Sequence, residues 1–120
     1  MVKTYTEVFQ NRPVELRFET IGGDLMVICS GGDRAHIGSL SLAQPYREGT
    51  CASVSNLSLL GHRDSSLGNE MAYRIAKTIG KNTAVLCGIH FDRISPEEIQ
   101  RLCALVLKVC AAFCEENKNA

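Results

Sequence analysis

In the first half of the chain, hydrophobic and polar residues alternate with a period of two. Val14, Leu16 and Phe18 alternate with Glu15, Arg17 and Glu19, the pattern of a half-buried strand. Ile21-Gly22-Gly23-Asp24 follows as a turn whose residues tolerate positive φ. Leu25 to Cys29 then returns as a more continuously apolar strand, so the two segments predict a β-hairpin. A second turn, Ser30-Gly31-Gly32-Asp33, leads into a strand over His36 to Leu42. There His36, Gly38, Leu40 and Leu42 share one face, and Ile37, Ser39 and Ser41 share the other. Gln44 to Thr50, with Pro45 and Gly49, reads as a loop. Cys51 to Leu60 alternates again and predicts a strand antiparallel to its predecessor, while Thr4 to Phe9 predicts a short strand at the N-terminus.

At Gly61 the period changes. Leu67, Met71, Ile75 and Ile79 step by four with Ala72 and Ala76 beside them, a helical stripe that Asp64 or Ser65 can cap and Gly80 can close. Thr83 to Gly88 is a buried strand. It runs through His90, Asp92 and Arg93 into Ser95-Pro96-Glu97-Glu98, a capping box with proline at the first helical position. The last helix sends Ile99, Leu102, Val106, Val109 and Phe113 toward the core, and Glu115 to Ala120 is expected to fray. The order predicts one α+β domain over residues 1–120, a single mostly antiparallel sheet with two helices packed on one face. The other face is expected to carry Ser, Thr and Gly, or to meet a second subunit.

Composition narrows the function classes. Thirteen basic and thirteen acidic residues give a formal net charge of zero, so no global field draws the chain to nucleic acid or an acidic membrane. With three Tyr, four Phe and no Trp there is little material for a base-stacking platform. No segment approaches the roughly 20 apolar residues of a membrane span. MVKTYTEVFQNRP lacks the apolar core of a signal peptide, so a cytoplasmic location is expected. The six cysteines, at 29, 51, 87, 103, 110 and 114, include no CxxC pair and read as small buried fillers.

The candidate chemistry gathers at strand ends. His36, His62 and His90 each lie near a glycine, in HIG, GHRD and GIHFD. If the strands preceding His62 and His90 run in parallel, both imidazoles could meet Asp64 and Asp92 at one sheet edge. That would suit a metal or general acid–base work, and a small metal-dependent hydrolase using His62, His90 and Asp92 is one reading. Hydrogen-bonded structural histidines are the plainer alternative. Gly61-His62-Arg63-Asp64-Ser65-Ser66 precedes a helix, where free amides, a guanidinium and two hydroxyls could hold an anion, although capping alone also accounts for these residues. GxxxxGK[ST] and GxSxG are both absent.

HIGSLSLAQPY and SVSNLSLLGHRDSSLGNEMAYRIAKTIGKNTAVLCGIHFDRISPEEIQRL together resemble a known family over roughly residues 14 to 114. It comprises the small subunits found with bacterial hydroxyarylic acid (gallate-type) decarboxylases, also described as prenylated-flavin chaperone-like. The marks are His36-Ile37-Gly38, Gly61-His62 before a helix, and Gly88-Ile89-His90 with Asp92 before a capped helix. The resemblance implies a fold similar to proteasome assembly chaperones, often dimeric, and a non-catalytic helper. Such a helper would assist transfer of prenylated FMN from a flavin prenyltransferase to a UbiD-type decarboxylase, or accompany that enzyme. Gly61, His62, Arg63, Ser65 and Ser66 would then face the phosphate of prenylated FMN or FMN. His36, His90 and Asp92 would contact its ring system or a partner. A ligand-free assembly module is the remaining alternative.

Overall fold

The computed structural model describes residues 1–47, 50–59 and 64–118. Six strands precede and separate two helices: β1 (Val2–Phe9), β2 (Arg12–Ile21), β3 (Asp24–Gly32), β4 (Ser39–Tyr46), β5 (Cys51–Ser58), α1 (Ser65–Ile79), β6 (Thr83–His90) and α2 (Pro96–Asn117). They form one sheet in the order β1-β2-β3-β6-β4-β5. Among the described residues, β3 and β6 pair in parallel and every other neighbouring pair is antiparallel.

The local chemistry explains the elements. Gln10 and Asn11 both take left-handed backbone (φ 51° and 62°), giving the two-residue turn whose twist suits the β1–β2 hairpin. Gly80 closes α1 at φ 75° and donates its amide to the Ala76 carbonyl. The capping box of α2 is present in full: Glu98 N donates to Ser95 Oγ at 3.2 Å and Ser95 N to Glu98 Oε1 at 2.9 Å. The Ser95 amide and hydroxyl that hold the Glu98 carboxylate keep it below the usual glutamate range.

Both helices cover the same face. Phe18 of β2 stacks on Phe113 of α2 with ring centroids 3.9 Å apart, and Val14, Leu16, Val27, Cys29, Val85 and Val106 are buried around that pair. Under α1, Met71 and Ile75 are fully buried, beside a polar seam in which Ser41 Oγ donates to Asn69 Oδ1 at 2.7 Å and Asn56 reaches both. Cys29 lies opposite Cys87 in the parallel register. Its contact with the Cys87 thiol and its burial push its own thiol well up, as fits inert core sulfur.

Several expectations change. Gln44, Pro45 and Tyr46 belong to β4 rather than to a loop; Pro45 pairs with β5 beyond the end of the β6 ladder, so its missing amide interrupts no bond to β6. His36 and Gly38 precede β4 instead of lying in it. Within β4 the two faces are grouped as expected, and the serine face is the buried one. Ser39 and Ser41 point under α1, where Gly68 lets the helix backbone come close, and Leu40 and Leu42 point to the open face. Register aligns Ile28, Leu86, Leu40 and Leu57 in one row across β3, β6, β4 and β5, with Leu57 74% exposed. An aliphatic row thus crosses the open face, which also carries Thr4, Thr6, Ser30, Gly88, Ser53 and Ser55, the serine, threonine and glycine expected there. Ile99, predicted to be core, is 40% exposed, and α2 continues through Glu115 and Glu116 to Asn117. Leu60, predicted to end β5, lies outside the described residues. Among the described residues, no helix is long and apolar enough to cross a membrane.

Candidate functional site

The site lies where β6 ends and both helices begin. β3 and β4 flank β6, so the chain must pass over the β6 end to reach β4, and residues 33–38 make that crossing. Asp33 N donates to the His90 carbonyl at 2.7 Å, His36 N to Gly88 O at 3.4 Å and Gly38 N to Cys87 O at 3.0 Å. The passage is close: a Cβ on Gly88 would lie 1.6 Å from the His36 carbonyl oxygen, and one on Gly38 would lie 2.0 Å from Asp64 Oδ2. Glycine is required at 88, where the contact is with backbone; at 38 a side chain would have to displace the Asp64 carboxylate.

Carboxylates fasten both ends of this strap. Asp33 Oδ2 accepts from Asp92 N at 2.8 Å and its Oδ1 from Arg12 Nε at 2.8 Å. The Asp92 amide, helped by the Arg12 guanidinium, holds the Asp33 carboxyl below its ordinary value. At the far end Asp64 occupies the N-cap position of α1, but its side chain does not cap the helix. It turns to β6 instead, accepting from Ile89 N at 3.1 Å through Oδ1 and meeting His36 Nε2 at 3.2 Å through Oδ2. His36 and Asp64 are largely buried, with 16% and 10% of their side chains exposed. The other nitrogen of His36, Nδ1, faces the Arg34 carbonyl at 3.4 Å. The His90 ring stands edge-on to that of His36 at 6.5 Å between centroids, and its Nε2 meets Asp92 Oδ1 at 2.9 Å on the rim.

These groups border a cavity of about 260 Å³ between the N-terminal turns of α1 and α2. Its polar end is formed by His36, Asp64 and His90. Leu67 of α1, with Ile89 and Phe91 at the end of β6, line its middle, while Ile94, Ile99, Leu102 and Cys103 make the wall on the α2 side. Burial raises the Cys103 thiol above its ordinary value, so it enters the cavity wall as a neutral thiol. Such a cavity can hold an apolar body by one end and hydrogen-bond a polar edge at the other.

The profile of the prenylated flavin chaperone LpdD-like domain family matches residues 9–118. The chain belongs to that family. Protein LpdD of Lactiplantibacillus plantarum is 23% identical over 96 residues, covering 80% of this chain and 71% of that protein. A chain in the crystal structure of a chaperone complex for yeast 20S proteasome assembly superposes with a TM-score of 0.60 at 15% identity, covering 98% of both chains. The fold expected from the sequence, and its likeness to proteasome assembly chaperones, are both found.

Of the residues expected at an LpdD-like site, His36 and His90 line the cavity together. Gly61, His62 and Arg63 lie outside the described residues. Ser65 and Ser66 open α1 and Asp92 sits on the exposed rim; none of the three is among the lining residues. β5 and β6 are both antiparallel to β4 and therefore parallel to each other, the orientation that brings the start of α1 to the β6 end. Asp64 does reach that edge, bound to His36 rather than to His90. Among the described residues, no group of three or more His, Cys, Asp or Glu side chains could hold a metal ion. The apolar wall was missed. Its signal was present in the α2 cap, where Ile94 and Ile99 occupy the two positions of a hydrophobic staple.

Proposed function

We propose that this chain is a cytoplasmic, non-catalytic chaperone for prenylated FMN, receiving the cofactor from a flavin prenyltransferase and passing it to a UbiD-type hydroxyarylic acid decarboxylase. Membership of a prenylated flavin chaperone-like family supports a chaperone role. The observation that carries the ligand assignment is the cavity at the β6 end, apolar on the α2 side and hydrogen-bonding at His36, Asp64 and His90. In this reading the start of α1 takes the phosphate. Its first turn holds no acidic side chain, and Asp64 leaves the amides there without a side-chain cap. Ser65 and Ser66, together with the preceding Gly61-His62-Arg63, would complete the anion subsite. His36, His90 and Asp92 would then hold the polar edge of the ring system. The protein supplies binding and orientation, and the cofactor carries the chemistry.

The test is titration of the purified chain with FMN and with prenylated FMN, followed by mixing with apo-decarboxylase. Binding, together with faster activation of the decarboxylase than free cofactor gives, is the expected result. A protein that binds neither flavin and leaves activation unchanged would sink the assignment.

The open sheet face supports a homodimer as the working form. Ile28, Leu86, Leu40 and Leu57 stand in register, and Leu42 is a further 53% exposed beside them. Sedimentation should give a dimer, and Leu57→Lys should turn it into a folded monomer. A monomer in the unaltered protein would remove this part of the assignment.

A further inference from the structure

We infer that the cleft between the C-terminal halves of α1 and α2 is a second ligand site, and that it takes a small carboxylate with an aliphatic body. The cleft encloses about 300 Å³, the lower bound of the roughly 300–1,000 Å³ of small-molecule sites. It shares no lining residue with the cavity at the β6 end. Leu67 lines that cavity and Lys77 this cleft, and a rise of 1.5 Å per residue puts roughly 15 Å of α1 between them.

The lining has two parts. Leu107, Cys110 and Cys114 form a floor without charge. Burial pushes the Cys110 thiol up to about 12 and the Cys114 thiol up to about 11, so both stay protonated and behave as apolar surface. The rim is cationic. Arg74 and Lys77 stand on α1 and Lys118 follows the end of α2, against the single carboxylate of Glu115. The whole chain has a formal net charge of zero, so three cations to one carboxylate is a local excess. Lys118 already matches Glu115 at 3.0 Å, and Glu70 takes Arg74 through Nε at 2.6 Å. Among the described residues Lys77 makes no ion pair; its Nζ lies 5.5 Å from the centroid of the Tyr73 ring.

Other occupants satisfy only half of this lining. Inorganic phosphate would use the rim and leave the floor uncovered, and a neutral hydrocarbon would leave Lys77 unmatched. A metal ion would meet cations at the rim and protonated thiols below. An aromatic acid would find no ring to stack on, because no aromatic side chain lines the cleft. An aliphatic carboxylate uses both parts, with its head at Lys77 and Arg74 and its chain on Leu107, Cys110 and Cys114.

The test is isothermal titration of the full chain with octanoate, for the unaltered protein, Lys77→Glu and Ala111→Glu. Acetate and octylammonium serve as probes that keep only the head or only the chain. Ala111 is exposed and Lys77 half-buried, both line the cleft, and glutamate is a good helix former, so circular dichroism should be unchanged. Octanoate should bind at one site per chain, at least about tenfold more tightly than acetate, and octylammonium should not bind. Each variant should weaken octanoate by about tenfold. No octanoate binding, equal binding of octanoate and octylammonium, or an octanoate affinity that neither variant moves would overturn the site. Binding of an acidic amphipathic peptide in place of octanoate would also overturn it, and would make the cleft a protein-docking groove. None of these outcomes bears on the flavin assignment, whose residues lie at the other end of the helices.

Discussion

The carboxylate of Asp64 joins three separate elements: Oδ2 lies 3.2 Å from His36 Nε2 in the strap, and Oδ1 accepts the Ile89 amide of β6 at 3.1 Å. A residue placed to cap α1 instead ties the helix to the sheet and to the segment crossing it. Asp64 therefore ties together the elements that border the cavity.

Asp64→Ala should cost about 1–3 kcal/mol, because the half-buried Ile89 amide loses its acceptor and His36 loses its carboxylate contact. Asp64→Asn keeps an oxygen for Ile89 N and should retain a good part of that stability. Urea unfolding of the two variants gives the comparison. An alanine variant as stable as the parent would mean that Asp64 does not hold the strap.

Gly88→Ala should be among the most damaging single-methyl additions in the chain. The new Cβ would sit 1.6 Å from a backbone oxygen of His36, so the strap or the strand must move, and a loss above about 4 kcal/mol or failure to fold is expected. Gly80→Ala provides the control. That glycine is also constrained, at φ 75°, but nothing lies within 4 Å, so the expected cost is the left-handed backbone alone, about 1–2 kcal/mol. Comparable losses at the two positions would contradict the close passage over β6.

Asp33 should make the strap sensitive to acid. Its folded-state value lies below the ordinary 3.8, held there by the Asp92 amide and the Arg12 guanidinium. A lowered value means that its contribution is fully present above the ordinary value and disappears as pH falls through the lower, folded one. The stability difference between the parent and Asp33→Asn should therefore be constant from about pH 7 to 5 and shrink below about pH 4. Urea midpoints measured across that range would show it. A gap that widened toward low pH would reverse the assigned sign.

The elements were legible because their signals are local. Alternation in β2, the four-step stripe of α1 and the capping box of α2 each lie within a few residues, and each is found. What stayed hidden depends on layers that meet only in the fold. β4 alternates Ser with Leu, and hydropathy favours burying the leucines. A helix whose backbone approaches at Gly68 has room only for serines, so the leucines turn outward. His36 can be flagged as a candidate from its glycine neighbour, but Asp64 lies 28 residues away and reads in the sequence as a possible cap or as a carboxylate beside His62 and His90, so its pairing with His36 shows only in the fold. Ile99 carried the periodicity of core and became cavity wall, because the strand beneath ends before reaching it.

Ser39 and Ser41 separate two effects that hydropathy treats alike. Both are buried on the same face of β4, 2% and 0% exposed, under α1. Ser41 Oγ donates to Asn69 and accepts from Asn56 Nδ2 at 3.0 Å, so Ser41→Ala takes one bond from each amide side chain, leaves them the 3.0 Å bond between Asn56 Nδ2 and Asn69 Oδ1, and should cost about 1 kcal/mol. Ser39 Oγ is buried without a hydrogen-bond partner, and Gly68 leaves it facing a helix backbone that offers none. Replacing it with alanine removes a desolvated hydroxyl and almost no volume, so Ser39→Ala should stabilise the fold by about 1 kcal/mol. Thermal and urea unfolding of the two variants should shift in opposite directions. If both serines prove destabilising to remove, Ser39 has a partner in solution, and an ordered water beside Gly68 is where to look for it.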